Sequence, residues 1–187
     1  MSTEQLEQAI ASTRSVLTSI TPDQLGQASP CASWKVSDVI NHVVGAQFFF
    51  ASSVAGEPPA GGEAPDFSAG DFVASFDQGT AASVAAFSAP GAMERIVKMP
   101  FGDLPGAMLM GIAAADTFTH GWDLAKATGQ STDLDPALVG QLLPMLKMAI
   151  QDAFRGPDGQ APFGAAQTAP AGCTPADEMA AFLGRTV

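Results

Sequence analysis

The chain has 187 residues, of which 47% are apolar, and it carries 19 acidic against 8 basic residues, a net charge of −11. This length suits one domain with a substantial buried core. The clustered Lys and Arg that nucleic acids and anionic membrane surfaces require occur nowhere in the sequence. We therefore expect neither nucleic acid nor a membrane as a partner, but a small molecule or another protein.

The sequence has no feature of an exported or membrane-embedded protein. The N-terminal stretch MSTEQLEQAIASTRSVL is polar and acidic, unlike a signal peptide. No window has the roughly 18 uninterrupted apolar residues of a membrane helix. The cysteines, Cys31 and Cys173, are too few for a disulfide framework and have no C-x-x-C spacing. We expect a soluble, cytoplasmic protein.

The N-terminal part of the chain predicts two helices and a loop. Apolar residues recur at roughly helical spacing over 4–20, and the segment that follows contains helix-breaking Pro and Gly. A second helix is predicted over 36–54, with Ser33 or Ser37 as its N-cap. Residues 55–70 are rich in Pro and Gly, and this composition predicts a loop.

The middle of the chain predicts a third helix, a hairpin and a fourth helix. The third helix covers about 71–88, where apolar residues again recur at helical spacing. Residues 95–106 contain Pro100 and Pro105, which exclude a helix, and their pattern predicts a short extended hairpin. The fourth helix is largely apolar and covers about 106–127.

The C-terminal part predicts two further helices. The first covers about 135–154, and the second starts at Thr174 or Pro175. The residues between them, 156–172, are rich in Pro, Gly and Ala and predict coil.

Strand signals are sparse, so the predicted fold class is all-α. We expect a four-helix bundle with a short extended hairpin and an extra C-terminal helix. The sequence has no internal repeat. It predicts a single domain over 1–187, in which residues 156–187 form a C-terminal extension that packs on the bundle.

Three residues point to a metal site. Asp116 and His120 lie four residues apart and so share one face of the fourth helix. His42 lies on a mostly apolar face of the second helix, which should point into the bundle. Because an isolated buried carboxylate is costly, a divalent ion bound by His42, Asp116 and His120 would satisfy all three groups. Three protein ligands leave one position open, as in catalytic zinc sites, although nickel, iron and manganese also suit such ligands.

Simpler explanations exist for each residue. An isolated Asp-x-x-x-His pair on a helix is most often a hydrogen-bonded core pair, and His42 taken alone is most often a core or surface histidine. Asp123 is predicted either to orient the His120 imidazole or to be a solvated charge at the helix end. Cys31 is a weaker candidate ligand, since single buried cysteines usually pack as small apolar residues.

Two segments resemble a known family. SPCASWKVSDVINHVVG (29–45) is similar to the Pro-Cys-x-x-Trp-x-Val-x-Asp-x-x-x-His-x-x-Gly block of the mycothiol-dependent maleylpyruvate isomerase N-terminal family, a DinB-like group. DTFTHGWDLAKATGQ (116–130) resembles its second block, and the C-terminal sequence resembles its actinobacterial metal-binding branch. The resemblance implies a four-helix bundle with metal ligands His42, Asp116 and His120, and with zinc as the expected metal.

The resemblance also implies a thiol chemistry. Mycothiol or a similar low-molecular-weight thiol would be the co-substrate, held as a thiolate by the metal, and it would attack an electrophile by S-transfer or in an isomerase-like reaction. A metal-dependent hydrolase is one alternative, with Asp123 or Asp38 as the base. A non-catalytic module that binds metal or ligand, or a homodimer through an exposed helix face, is another.

Four aromatic residues, Trp34, Phe49, Phe118 and Trp122, are candidates for the pocket wall. Trp34 and Trp122 lie within the two family-like segments, and Phe49 follows His42 at helical spacing. We expect these rings to line the thiol pocket, with the alternative that Trp34 and Trp122 pack the helix ends.

Overall fold

Helices make up most of the regular structure in the computed structural model, which describes residues 2–31, 33–57, 64–100, 102–157 and 159–187. In these ranges the α-helices are α1 (Glu4–Leu17), α2 (Val36–Ala55), α3 (Phe72–Ser88), α4 (Gly106–Ala127), α5 (Pro136–Ala149) and α6 (Pro175–Phe182). The strands β1 (Ile96–Val97) and β2 (Leu104–Pro105) form an antiparallel pair. The predicted all-α class with a short hairpin and an extra C-terminal helix is confirmed.

Helix α4 is the centre of the molecule. It contacts α1, α2, α5 and α6, while α3 packs on α1 and α2. Of its 22 residues, 16 are buried, as expected for a helix that is apolar on all sides. The approach of α1 depends on Gly121, because a Cβ at this position would collide with the Thr13 hydroxyl. That hydroxyl donates to the Thr117 carbonyl at 2.8 Å and joins the two helices.

Apolar side chains fill the space on both sides of α4. One group joins α4 to α5 and α6, and its largest fully buried members include Trp122, Leu138 and Met179. A second group joins α4 to α1, α2 and α3 and includes Ile40 and Phe76. Each fully buried side chain of this size contributes about 1.5–3 kcal/mol. The C-terminal helix therefore packs on the same core as the bundle.

The start of α2 corrects one prediction. Neither Ser33 nor Ser37 is the N-cap; Lys35 is, and its backbone N–H donates to the Asp38 carboxylate at 2.8 Å. Ser33 instead has a φ of +66° in the turn that precedes the helix. The N-cap prediction was wrong because the N–H groups of Val36 and Ser37 donate to carbonyls of the preceding loop, at Gln27 and Leu25, so the helix start needs no serine.

Two other boundaries differ from the sequence pattern. Helix α5 continues past Pro144 and ends at Ala149, because Ile150 takes an extended conformation. Residues Asp152–Phe154 form a separate 3₁₀ turn. Within the predicted loop 55–70, residues 58–63 lie outside the described residues, and Phe67–Ala69 forms another 3₁₀ turn. None of the helices in the described ranges is long and apolar enough to cross a membrane.

Candidate metal site

Helices α2 and α4 bring the three predicted ligands together. His42 lies on α2, and Asp116 and His120 lie one turn apart on α4. The Nε2 atom of His42 is 3.2 Å from Asp116 Oδ1, and the Nε2 atom of His120 is 3.6 Å from the same oxygen. The ligand atoms of all three residues lie within 4.8 Å of one another, a spacing that could hold a metal ion.

The position of the proton on His120 is fixed by Asp123. The Nδ1 atom of His120 lies 3.0 Å from Asp123 Oδ2, and a carboxylate can only accept, so Nδ1–H donates. In the neutral imidazole, Nε2 then carries the lone pair, and this lone pair faces Asp116. This is the tautomer and the outer hydrogen bond that metal-binding histidines use.

Asp123 is itself paired with an arginine from the C-terminus. Its side chain is fully buried, and its carboxylate accepts from Arg185 Nη2 at 2.9 Å and from Arg185 Nε at 3.2 Å. Burial raises the pKa of the Asp123 carboxyl, but the Arg185 charge and the hydrogen bond from His120 outweigh it and hold the pKa below its ordinary value. Asp123 is therefore a buried, ionised group with a bidentate partner.

Asp116 has no such partner. Its Oδ2 atom is buried and has no hydrogen-bond partner among the described residues. Burial raises its pKa, while His120 and His42 lower it more strongly, so the net pKa lies below the ordinary value. At His42, burial lowers the pKa, but the hydrogen bond and the charge of Asp116 raise it above the ordinary value. The site therefore holds a second carboxylate, 23% exposed, whose ion-pair contacts among the described residues are with the two imidazoles.

Trp34 forms one wall of this cluster. Its ring is stacked on His120, with centroids 5.8 Å apart, and tilted against His42 at 5.0 Å. The two imidazoles are 4.5 Å apart, edge to face. Trp34 is only partly buried, so it separates the two histidines from solvent on one side.

The other predicted pocket residues lie elsewhere, and Phe118 is fully buried in the core. Trp122 is 1% exposed, packs in the core and donates its indole N–H to Asp177 on α6 at 2.9 Å. Phe49 lies two turns further along α2 than His42; it is 38% exposed, and its ring packs against Phe50. Of the four aromatic candidates, the structure brings Trp34 into ring contact with the histidines.

Arg185 is the residue that the sequence analysis missed. It lies 62 residues from Asp123, and no local spacing links the two. A signal was available in the composition, since a buried aspartate needs a cation and the chain has only 8 Lys and Arg in total. Cys31, the weaker ligand candidate, lies beside this pair, with Sγ 3.8 Å from Arg185 Nη2.

Comparisons with known proteins agree with the resemblance noted in the sequence. The family model described as the mycothiol maleylpyruvate isomerase N-terminal domain matches residues 6–125. Two uncharacterized proteins, from two strains of Mycobacterium tuberculosis, are each 42% identical to the chain over 176 residues, which cover 92% of this chain and 91% of theirs. No solved structure matches the chain significantly.

Proposed function

Because the chain belongs to the mycothiol maleylpyruvate isomerase N-terminal domain family, a DinB-like group, we propose that it binds one divalent metal through His42, Asp116 and His120. Zinc is the first candidate and nickel the second, since two imidazoles and a carboxylate suit both ions. We further propose that the protein uses this site as a thiol-dependent S-transferase or isomerase-like enzyme.

One observation supports the metal proposal most directly: acceptor atoms of His120 and Asp116 lie close together. The lone pair of His120 Nε2 and the Asp116 carboxylate face each other at 3.6 Å, and neither can donate to the other while His120 is neutral. Asp116 Oδ2 is buried with no hydrogen-bond partner among the described residues. A cation at this point would satisfy both residues and leave the hydrogen bond from His120 to Asp123 intact.

A thiol is the co-substrate that the family description favours. A divalent metal, when bound, would lower the pKa of a coordinated thiol and so supply a thiolate at neutral pH. His42 has the most exposed side chain of the three ligands, at 36%, so the thiol would approach from its side. The Trp34 ring, which contacts both His42 and His120, would cover one side of the site and exclude water from the sulfur. The thiolate would then form a C–S bond to the second substrate. In S-transfer, a leaving group would depart from that carbon with the bonding electron pair. In an isomerase-like reaction, the π bond of a conjugated double bond would break, and it would re-form after rotation as the thiolate is expelled.

The hydrolase alternative has weaker support, because both of its candidate bases are engaged. Asp123 accepts hydrogen bonds from His120 and Arg185 and is fully buried. Asp38 is exposed and accepts from the Lys35 backbone at the start of α2. Asp123 is therefore not available to take a proton from an attacking water, and Asp38 already accepts a backbone hydrogen bond through one of its oxygens.

The metal proposal is tested by elemental analysis of untagged protein. We expect about one equivalent of zinc in the wild type, as in sites with three protein ligands, and none in His42→Ala or His120→Ala. The matched control is Asp177→Asn, which alters a buried carboxylate outside the cluster and should keep its metal. A wild type that holds no metal after reconstitution with zinc and nickel would contradict the proposal.

The thiol proposal needs a separate measurement. Mycothiol is titrated calorimetrically into the zinc-loaded and the metal-free wild type. We expect binding to the zinc-loaded form alone, because the thiolate would depend on the metal. Equal binding to both forms, or none to either, would contradict the thiol chemistry and leave a metal-binding module.

A further inference from the structure

The C-terminus of the chain reaches the metal-site cluster through one side chain. Gly184 lies just past the end of helix α6; its φ is +92°, and its N–H donates to the Ala181 carbonyl at 3.0 Å. The N–H of Arg185 donates to the Ala180 carbonyl, also at 3.0 Å. This pair of bonds is a Schellman ending, which reverses the chain and turns Arg185 back toward α4. Arg185 lies 60 residues beyond the end of the family match at residue 125.

Three separate segments fix the guanidinium of Arg185. Two of its nitrogens donate to Asp123 on α4, and Nη1 donates to the Leu183 carbonyl at 3.1 Å. Nη2 also lies 3.8 Å from the Cys31 sulfur, in the turn before α2. Arg185 is buried, so these contacts hold it in one orientation.

The carboxylate of Asp123 transmits this orientation to the histidine. Its Oδ2 atom accepts hydrogen bonds from both Arg185 Nη2, at 2.9 Å, and His120 Nδ1, at 3.0 Å. A planar guanidinium that binds both oxygens sets the plane of the carboxylate, which a lysine ammonium could not do. The plane of the carboxylate in turn sets the direction in which His120 Nε2 points.

We propose that Arg185 is a positioning residue for metal binding: through Asp123 it holds His120 in the tautomer and orientation that a metal needs. The inference rests on the proposed function, because His120 is a ligand only if the metal site exists. It gives the C-terminal segment, which the family match does not include, a role in metal binding.

The first test is the affinity for Zn²⁺ alone, measured by competition with a chromogenic chelator. We expect Arg185→Leu to bind Zn²⁺ about 10-fold to 100-fold more weakly than the wild type, the usual effect of losing an outer partner of a ligand. Arg185→Lys keeps the positive charge but loses the planar, bidentate guanidinium. Its Zn²⁺ affinity should therefore lie between those of the wild type and Arg185→Leu. If Arg185→Leu does not fold, Arg185→Lys carries the test.

The matched control is Arg155→Leu. Arg155 also anchors the C-terminal segment, since it donates to the carbonyls of Gly164 and Phe182 at 3.0 Å, but it does not contact Asp123. We expect this variant to keep its Zn²⁺ affinity within about twofold, because distant sites act independently. An equal loss in Arg155→Leu and Arg185→Leu, or no loss in Arg185→Leu, would overturn the inference.

A second readout needs no metal. In metal-free protein labelled with ¹⁵N-histidine, the His120 Nδ1–H proton should be visible, because its hydrogen bond to Asp123 protects it from exchange with water. His42→Ala assigns the resonance. We expect it to broaden in Arg185→Leu and to persist in Arg155→Leu. Persistence in Arg185→Leu would overturn the inference. If the wild type binds no Zn²⁺, the proposed function fails, and this resonance alone decides the role of Arg185.

Discussion

Asp116 and Asp123 lie two turns apart on the same helix, and they differ in their partners and in exposure, which is 23% for the Asp116 side chain and 0% for that of Asp123. Asp123 is fully buried, with a bidentate arginine on one side and an imidazole N–H on the other. Asp116 meets only the two imidazoles, and one of its oxygens has no hydrogen-bond partner among the described residues. The carboxylate of Asp123 has its charged partner within the fold, whereas the carboxylate of Asp116 lies where a bound cation would complete its contacts.

This difference separates a structural ion pair from a candidate binding site on physical grounds. A buried charge persists in a native protein when it is paired or bound to a metal. Asp123 meets the first condition through Arg185. Asp116 is 23% exposed, its partners are two imidazoles whose charge depends on protonation, and its Oδ2 atom has no hydrogen-bond partner among the described residues. Its place between His42 and His120 is therefore the strongest argument for a metal ligand.

The largest effect on stability should come from removing one partner of the Asp123–Arg185 ion pair. Asp123→Ala leaves the Arg185 guanidinium buried without its carboxylate, which typically costs about 3–5 kcal/mol. For a chain of this size that corresponds to a melting temperature lower by roughly 6–20 °C. Asp116→Ala, measured beside it in a chelating buffer, should change the free energy of unfolding by about 1 kcal/mol or less. Urea denaturation of both variants checks the contrast.

Equal losses in the two variants would contradict the comparison. They would mean that Asp116 stabilises the metal-free fold as much as Asp123 does, as a hydrogen-bonded core pair. The simplest explanation of the Asp-x-x-x-His spacing would then be correct.

The parts of this site that follow from the sequence are those governed by local geometry. Residues four apart on a helix share a face, so the spacing of Asp116 and His120 is enough to pair them. The apolar face around His42 placed it toward the same interior. The same reasoning failed for Phe49, which lies at helical spacing from His42 but is 38% exposed. Spacing predicts on which side of a helix a residue lies. It does not predict whether a neighbouring helix still covers that side at the position of the residue.

The pairing of Arg185 with Asp123 could not be predicted in this way. It depends on where α6 packs against α4 and on the chain reversal at Gly184. The reversal itself has a sequence signal, a glycine just past a helix, but its target does not. The N-cap of α2 shows the same limit at short range, because carbonyls of the preceding loop, at Leu25 and Gln27, accept from the first N–H groups of the helix in place of a serine.

A third carboxylate sharpens the comparison, because its partners are neutral. Asp177 is 8% exposed and accepts from the Trp122 indole N–H at 2.9 Å. Burial raises its pKa, but hydrogen bonds from Trp122, Thr132 and Thr174 outweigh it and hold the pKa below the ordinary value. Ionised Asp177 therefore stabilises the folded state at neutral pH.

Asp177→Asn should cost about 1 kcal/mol at pH 7, since an amide is a weaker acceptor than a carboxylate. Because the folded pKa is depressed, the contribution of the charge is complete above the unfolded pKa of about 3.9 and is lost as the pH falls through the folded pKa. Urea denaturation of both proteins at pH 7, 4 and 3 should therefore give a difference that shrinks below about pH 4. A difference that stays constant with pH would show that the charge of Asp177 contributes nothing.

The smallest expected effect concerns the fluorescence of the two tryptophans. Trp34 reports on the proposed metal site, and Trp122 reports on the core. Trp34 is stacked on His120, whereas Trp122 is in the core and bonded to Asp177. Binding of Co²⁺ should therefore quench the emission of Trp34 and leave that of Trp122 nearly unchanged. In Trp34→Phe the quenching should disappear, while the Co²⁺ affinity falls less than about fivefold, because a phenyl ring keeps most of the aromatic contact.

Trp122→Phe is the matched control, and it should keep the quenching. The opposite pattern, with quenching kept in Trp34→Phe and lost in Trp122→Phe, would place the bound metal near Asp177 rather than Asp116. Since Asp177 has neutral donors around it and Asp116 faces only imidazoles, that result would remove the argument that the partners of a buried carboxylate indicate where a cation binds.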